Sequence, residues 1–117
     1  MPETTTPAAE GSIYRVDKFA VPDSARAALL AKIKMTHALL RQQPGFRADV
    51  VLEQISGPGE FNVVTMVEWD GPDAIADARA AVMAMQRSEG FDPQAMFARL
   101  GIRVDLANYR AFSRGGD

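Results

Sequence analysis

The chain contains no cysteine, which removes disulfides, thiol nucleophiles and thiolate metal sites at once. Its single histidine is too little for a zinc site built from protein ligands alone. There is no basic excess either: 13 Lys and Arg stand against 15 Asp and Glu, for a net charge of −2. Nothing therefore marks a groove for nucleic acid. No apolar run approaches the ~20 residues of a membrane span. The opening "MPETTTPAAEGS" lacks the basic and apolar regions of a signal peptide. These absences predict a cytoplasmic protein with no membrane or nucleic-acid partner and no protein-bound metal.

What the chain does have is enough for one compact domain: 117 residues, 47% of them hydrophobic. Residues 1–11 are rich in Thr, Pro, Ala and Glu with no apolar period, and "SRGGD" at 113–117 is similar. Both are expected to be loose tails, leaving a domain over 12–112. Its first element is a strand, "SIYRVDKF", Ser12 to Phe19. Pro22 then introduces a helix from about Ser24 to Gln43, with Asp23 or Ser24 as its cap. Leu29, Ile33, Thr36 and Leu40 form its one-sided stripe, and "QPG" stops it. A hairpin follows: one strand over Phe46 to Ile55, another over Phe61 to Asp70, with "SGPGE" as the turn. A second helix spans Asp73 to Ser88, with Ile75, Ala78, Val82 and Met85 as its buried stripe. Asp92 and Pro93 open a short extra helix, Gly101 closes it, and "IRVDLANYRAF" alternates as a last strand.

The order β-α-β-β-α-β specifies an α+β, ferredoxin-like antiparallel sheet with its helices on one face. Strand three then presents a difficulty. Phe61, Val63, Thr65, Val67 and Trp69 form one alternating set, and Val64 and Met66 belong to the other. Two helices cover one set only. A second copy of the chain, sheet against sheet, is the expected cover for the other, giving a homodimer of dimeric α+β barrel type.

The stretches "LLRQQPGF" and "VVTMVEWDGPDAI" resemble the antibiotic biosynthesis monooxygenase family of dimeric α+β barrels, over about Ile13 to Phe112. That resemblance implies a pocket between sheet and helices, bordered by the strand-three aromatic, here Trp69. It also implies a cofactor-independent monooxygenase acting on a small aromatic, quinol-like molecule. The protein's tasks are then to bind a flat ring, deprotonate a hydroxyl and keep water from the anion. Haem-degrading members of the family pair an Asn on strand one with a His on helix two. This chain has neither, keeping only Trp69. The cofactor-free members place an Asn near that Trp. Here Thr65 stands four residues before it, and Asn62 is out of phase with its face.

Each candidate residue carries two readings. His37 lies about 70–80° from the centre of the first helix's stripe, at 100° per residue. It is either a boundary residue bonded to a carbonyl or carboxylate, or a general base at the pocket. Trp69 is a core residue, a stacking wall, or both. Thr65 either serves strand propensity or donates to a ligand. Arg79, near the stripe of helix two, either snorkels to solvent or holds a phenolate or carboxylate. Met83, with Met85, Met96 and Phe97, either packs the core or forms an adaptable pocket. The expected catalytic pair is His37 and Trp69, with Thr65, Arg79 and Met83 binding substrate. Two competing functions remain: a non-catalytic or stress-related ligand-binding dimer, and a relative whose cavity is filled by its own Met and Phe side chains. An open cavity of ~300 Å³ or more beside Trp69 counts against the last.

Overall fold

The computed structural model describes residues 11–112; apart from Gly11, the expected tails lie outside them. Seven elements follow in order: β1 (Ile13–Ala20), α1 (Asp23–Leu40), β2 (Phe46–Glu53), β3 (Val63–Trp69), α2 (Pro72–Ser88), α3 (Pro93–Leu100) and β4 (Arg103–Tyr109). The sheet order is β2-β3-β1-β4, and every neighbouring pair is antiparallel. This is the expected ferredoxin-like α+β arrangement, with a third, short helix.

Local chemistry explains most of the boundaries. Pro22, in extended geometry, is the N-cap of α1, and no side chain caps the helix. The expected Asp23 or Ser24 cap is therefore replaced. Asp23 lies inside the first turn, where its charge complements the helix dipole. The helix ends at Leu40, three residues before Gln43. Gln42 and Gln43 bond back to Leu39 and Leu40, each at 3.0 Å, the tighter pattern of a terminating turn ahead of a proline. Gly45 then turns the chain at φ +85°, and its carbonyl accepts the Asp70 N–H at 2.9 Å. At the other end of the sheet the Asn62 side chain accepts from Val21 N–H and donates to Val21 C=O, both at 2.9 Å. That clamp ties the approach to β3 to the residue just past β1; β3 itself begins at Val63 instead of Phe61. The partner β2 stops at Glu53, leaving Ile55 96% exposed. The expected cap of α3 is present: Asp92 accepts from Gln94 and Ala95, and Gly101 ends the helix in left-handed geometry.

Strand register fixes which residues face the helices. On β3, Val63, Thr65, Val67 and Trp69 are buried and alternate with half-buried residues. Pairing carries this face to Ile13, Arg15, Asp17 and Phe19 of β1 and to Val104, Leu106 and Asn108 of β4. The core under the helices forms two separate clusters. Phe19, Val21, Ala25, Leu29, Ile33, Val63 and Ile102 pack at one end of the sheet. Val67, Trp69 and Ala78, with Leu40, Phe46 and Ile75 against them, pack at the other. Of the expected α2 stripe only Ala78 is fully buried; Ile75 and Val82 instead border a cavity. The opposite face of the sheet carries Val16, Val50, Leu52, Val64 and Met66, and Leu52 is 53% exposed in the single chain.

Candidate active site

Between the two core clusters lies a cavity of about 470 Å³, enclosed by the inner face of the sheet, α1 and α2, with α3 at one end. Its volume falls within the usual range for small-molecule sites. The Met and Phe side chains therefore do not fill it. Met96 is buried, and Phe97 packs on Phe19 with ring centroids 6.0 Å apart. All five residues predicted for the site line this cavity: His37, Thr65, Trp69, Arg79 and Met83.

Trp69 forms the wall at the α2 N-terminal end. It is 3% exposed and meets Phe46 edge-to-face, with centroids 5.8 Å apart and planes at 85°. It serves core and cavity together, because the end of a buried strand offers one ring edge to each. Thr65, in the middle of β3, is 3% exposed. Its hydroxyl has no hydrogen-bond partner among the described residues. Buried hydroxyls are normally satisfied, so this one is available to a ligand or to water. Arg79 and Met83, one turn apart on α2, are exposed at the rim.

His37 is the most informative residue. It is 5% exposed, more buried than its offset from the α1 stripe predicts. The reason is Asp49 on β2, which closes over that edge of the helix. His37 Nδ1 lies 2.9 Å from Asp49 Oδ2. Arg41, the C-cap of α1, donates to the same oxygen from Nη2 at 2.8 Å and to Oδ1 from Nε at 3.4 Å. Burial pushes the Asp49 carboxyl upward, but hydrogen bonds and charge from His37 and Arg41 outweigh it and hold the carboxyl below its ordinary value. An ionised carboxylate only accepts, so Nδ1 carries the hydrogen. In the neutral imidazole Nε2 is then the acceptor, with no partner among the described residues, on a residue that lines the cavity.

The depressed Asp49 carboxyl predicts acid sensitivity. A carboxyl with a lowered folded-state pKa contributes stability that is complete above its unfolded value, about 3.9. That contribution is lost as pH falls through the lower folded value. Urea titrations from pH 5 to pH 2 should show a falling midpoint, and Asp49→Asn should remove part of that fall. An identical pH profile for the variant contradicts the linkage.

The sequence did not single out Asp49. A regular strand starting with Phe46 inward would turn residues 48 and 50 inward and residue 49 outward. The structure has a register shift between Phe46 and Ala48, after which Asp49 pairs with Val67 on the inner face. On strand one Tyr14 and Arg15 are both possible lining residues by sequence, and Asp17 was not singled out; strand pairing turns Arg15 and Asp17 inward. Both face the cavity, joined by Arg15 Nε to Asp17 Oδ1 at 2.5 Å. Among the described residues there is no group of three or more His, Asp or Glu arranged to hold a metal ion, and no helix is long and apolar enough to cross a membrane.

No family model matches the sequence, and no curated protein matches it. Solved structures do. A candidate monooxygenase from Shewanella loihica PV-4 is 16% identical, over 89% of this chain and 97% of that one, with a TM-score of 0.68. SnoaB, a cofactor-independent oxygenase from Streptomyces nogalater, is 22% identical over 92% of this chain and 99% of its own, with a TM-score of 0.64. A variant of MhuD, seen with two manganese protoporphyrin IX molecules per active site, is 14% identical over 90% and 99%, with a TM-score of 0.65. At these identities the likeness is one of fold. The chain thus has the α+β fold of a cofactor-independent oxygenase and of a porphyrin-binding protein, in agreement with the resemblance carried by "LLRQQPGF" and "VVTMVEWDGPDAI".

Proposed function

We propose that this protein is a cofactor-independent monooxygenase acting on a small, flat aromatic of quinol or anthrone type. The observation that carries the reading is a buried imidazole on the wall of a largely apolar cavity, its Nδ1 held by a carboxylate and its Nε2 without a partner among the described residues. The fold shared with SnoaB, a cofactor-independent oxygenase, supports it.

In this reading the aromatic body packs against Trp69 and the apolar side chains of α1 and α2. His37 Nε2 takes a proton from the substrate's hydroxyl or its enol form. Asp49 balances the imidazolium that results, as an acceptor at Nδ1. Thr65 and Arg79 polarise the substrate oxygens, and Met83 adapts the rim to the ring system. The deprotonated, electron-rich ring then transfers electrons to O2. For an anthrone the reaction balances as follows: the ring CH2 becomes C=O with one oxygen atom of O2, and the other leaves with the two hydrogens as water. The substrate gives up four electrons and O2 accepts all four.

The working unit in this proposal is a cytoplasmic homodimer joined through the outer face of the sheet, which carries Val64, Met66 and Leu52. Sedimentation at micromolar concentration checks it: a two-chain species is expected, and a purely single-chain species rejects the dimer.

The test of activity is oxygen uptake with anthrone and no added cofactor, in excess of the spontaneous rate. Anthraquinone should form in equal amount to the O2 consumed. Quenching of the single tryptophan by anthrone without any oxygen uptake identifies a non-catalytic binding protein instead.

A further inference from the structure

The charge inside the cavity runs against the charge of the chain. The whole sequence is net negative, at −2. Yet the cavity is lined by three permanent cations, Arg15, Lys32 and Arg79, and one carboxylate, Asp17. Asp17 is committed to Arg15 at 2.5 Å. Asp49, behind His37, is committed to the imidazole and to Arg41. Two cations remain without a carboxylate among the described residues: Arg79 on α2 and Lys32 on α1. Lys32 is half-buried, with its ammonium 4.1 Å from the centroid of the Phe91 ring. A π-face compensates an ammonium only partly. Arg79 projects from the rim of the same cavity.

An apolar cleft with unpaired charge of one sign concentrates field lines and raises the local concentration of ligands of the opposite sign. A guanidinium and an ammonium on neighbouring helices supply charge-assisted donors for a planar oxyanion. On the opposite wall the Thr65 hydroxyl, buried and unpartnered, offers a hydrogen bond to a second oxygen function.

We infer that the ligand of this cavity is an aromatic acid: a planar ring system whose carboxylate, or equally acidic oxyanion, is held by Arg79 and Lys32 while the ring lies in the apolar part. This rests on the proposed reading of the cavity as an aromatic-binding site, and adds the charge of the ligand and the residues that select it.

Isothermal titration calorimetry with two isosteric probes, 2-naphthoate and 2-naphthamide, separates ring from charge. The wild-type chain at neutral pH and low salt should bind naphthoate on the order of tenfold more tightly than the amide, the scale of one charge-assisted contact. Added salt should weaken the naphthoate alone. Arg79→Gln and Lys32→Gln should each cut the preference for the naphthoate over the amide by roughly threefold or more. Equal affinity for the two probes overturns the acid inference while the aromatic cavity stands. A preference that survives both substitutions overturns the roles of Arg79 and Lys32. Failure of both probes to bind overturns this inference and the aromatic-site reading together.

Discussion

Replacing His37 by Ala should reduce anthrone-dependent oxygen uptake by about 10²–10⁴-fold, the usual contribution of a positioned general base. His37 is the chain's only histidine, so no second imidazole can take over. Quenching of Trp69 by the ligand should persist, because the ring-binding wall remains in place. The loss therefore falls on kcat far more than on KM, the mark of an interaction made in the transition state. Asp49→Asn is the companion measurement. It keeps a hydrogen-bond acceptor near Nδ1 but removes the charge that balances the imidazolium. Turnover should fall, by less than in His37→Ala, with substrate binding unchanged. Arg41, which shares the Asp49 carboxylate, is 55% exposed in its side chain, and Arg41→Gln should cost little. Full activity in His37→Ala removes the imidazole from the chemistry.

The second large effect is structural. Gly45→Ala should lower stability by about 2–6 kcal/mol, read as a shift of the urea midpoint, from two sources that add. A non-glycine residue at φ +85° carries about 1–3 kcal/mol of backbone strain. In addition, a Cβ placed there meets the Ala74 Cβ at 2.4 Å, and overpacking of that kind typically costs about 1–3 kcal/mol. Gly57 separates the two. It has φ +97°, but a Cβ there meets nothing within 4 Å, so Gly57→Ala should carry the strain alone. Ala74→Gly in the Gly45→Ala background should recover the packing part, less the cost of a glycine in the first turn of α2, about 1 kcal/mol. The site feels this position as well. Gly45 brings the chain into β2, so Phe46 meets Trp69, and its carbonyl holds Asp70 just beyond the Trp69 wall. If Gly45→Ala is no less stable than Gly57→Ala, the close approach to Ala74 is not a constraint.

Much of the architecture was legible in order and pattern. Alternation in "VVTMVEW" placed Val63, Thr65, Val67 and Trp69 on one face, and those four are buried. The cap at Asp92 and the stop at Gly101 were local signals read from residue type. The five predicted site residues share one cavity because strand parity and helix period are set within a few residues of each position. Caps and contacts between distant segments were less legible. The Asn62 amide is spent on the backbone of Val21, 41 residues earlier, and nothing next to Asn62 signals that clamp. Likewise the start of α1 relies on Pro22 and the backbone instead of a side-chain cap.

The sequence by itself determined the chemical inventory: no thiol, one imidazole, one indole, and an apolar strand ending in that indole. It also determined the β-α-β-β-α-β order, because hydrophobic period and turn chemistry are local properties. Only the tertiary structure decided what the inventory does. A register shift beside Phe46 turned Asp49 inward to meet His37. Strand pairing sent Arg15 and Asp17 into the cavity instead of the outer face. Two core clusters that do not meet left the space between them open. These outcomes depend on parity along β2, on pairing between strands far apart in the chain, and on the volume left over by packing. Each is a property of how elements meet in space, and none is carried by any one segment.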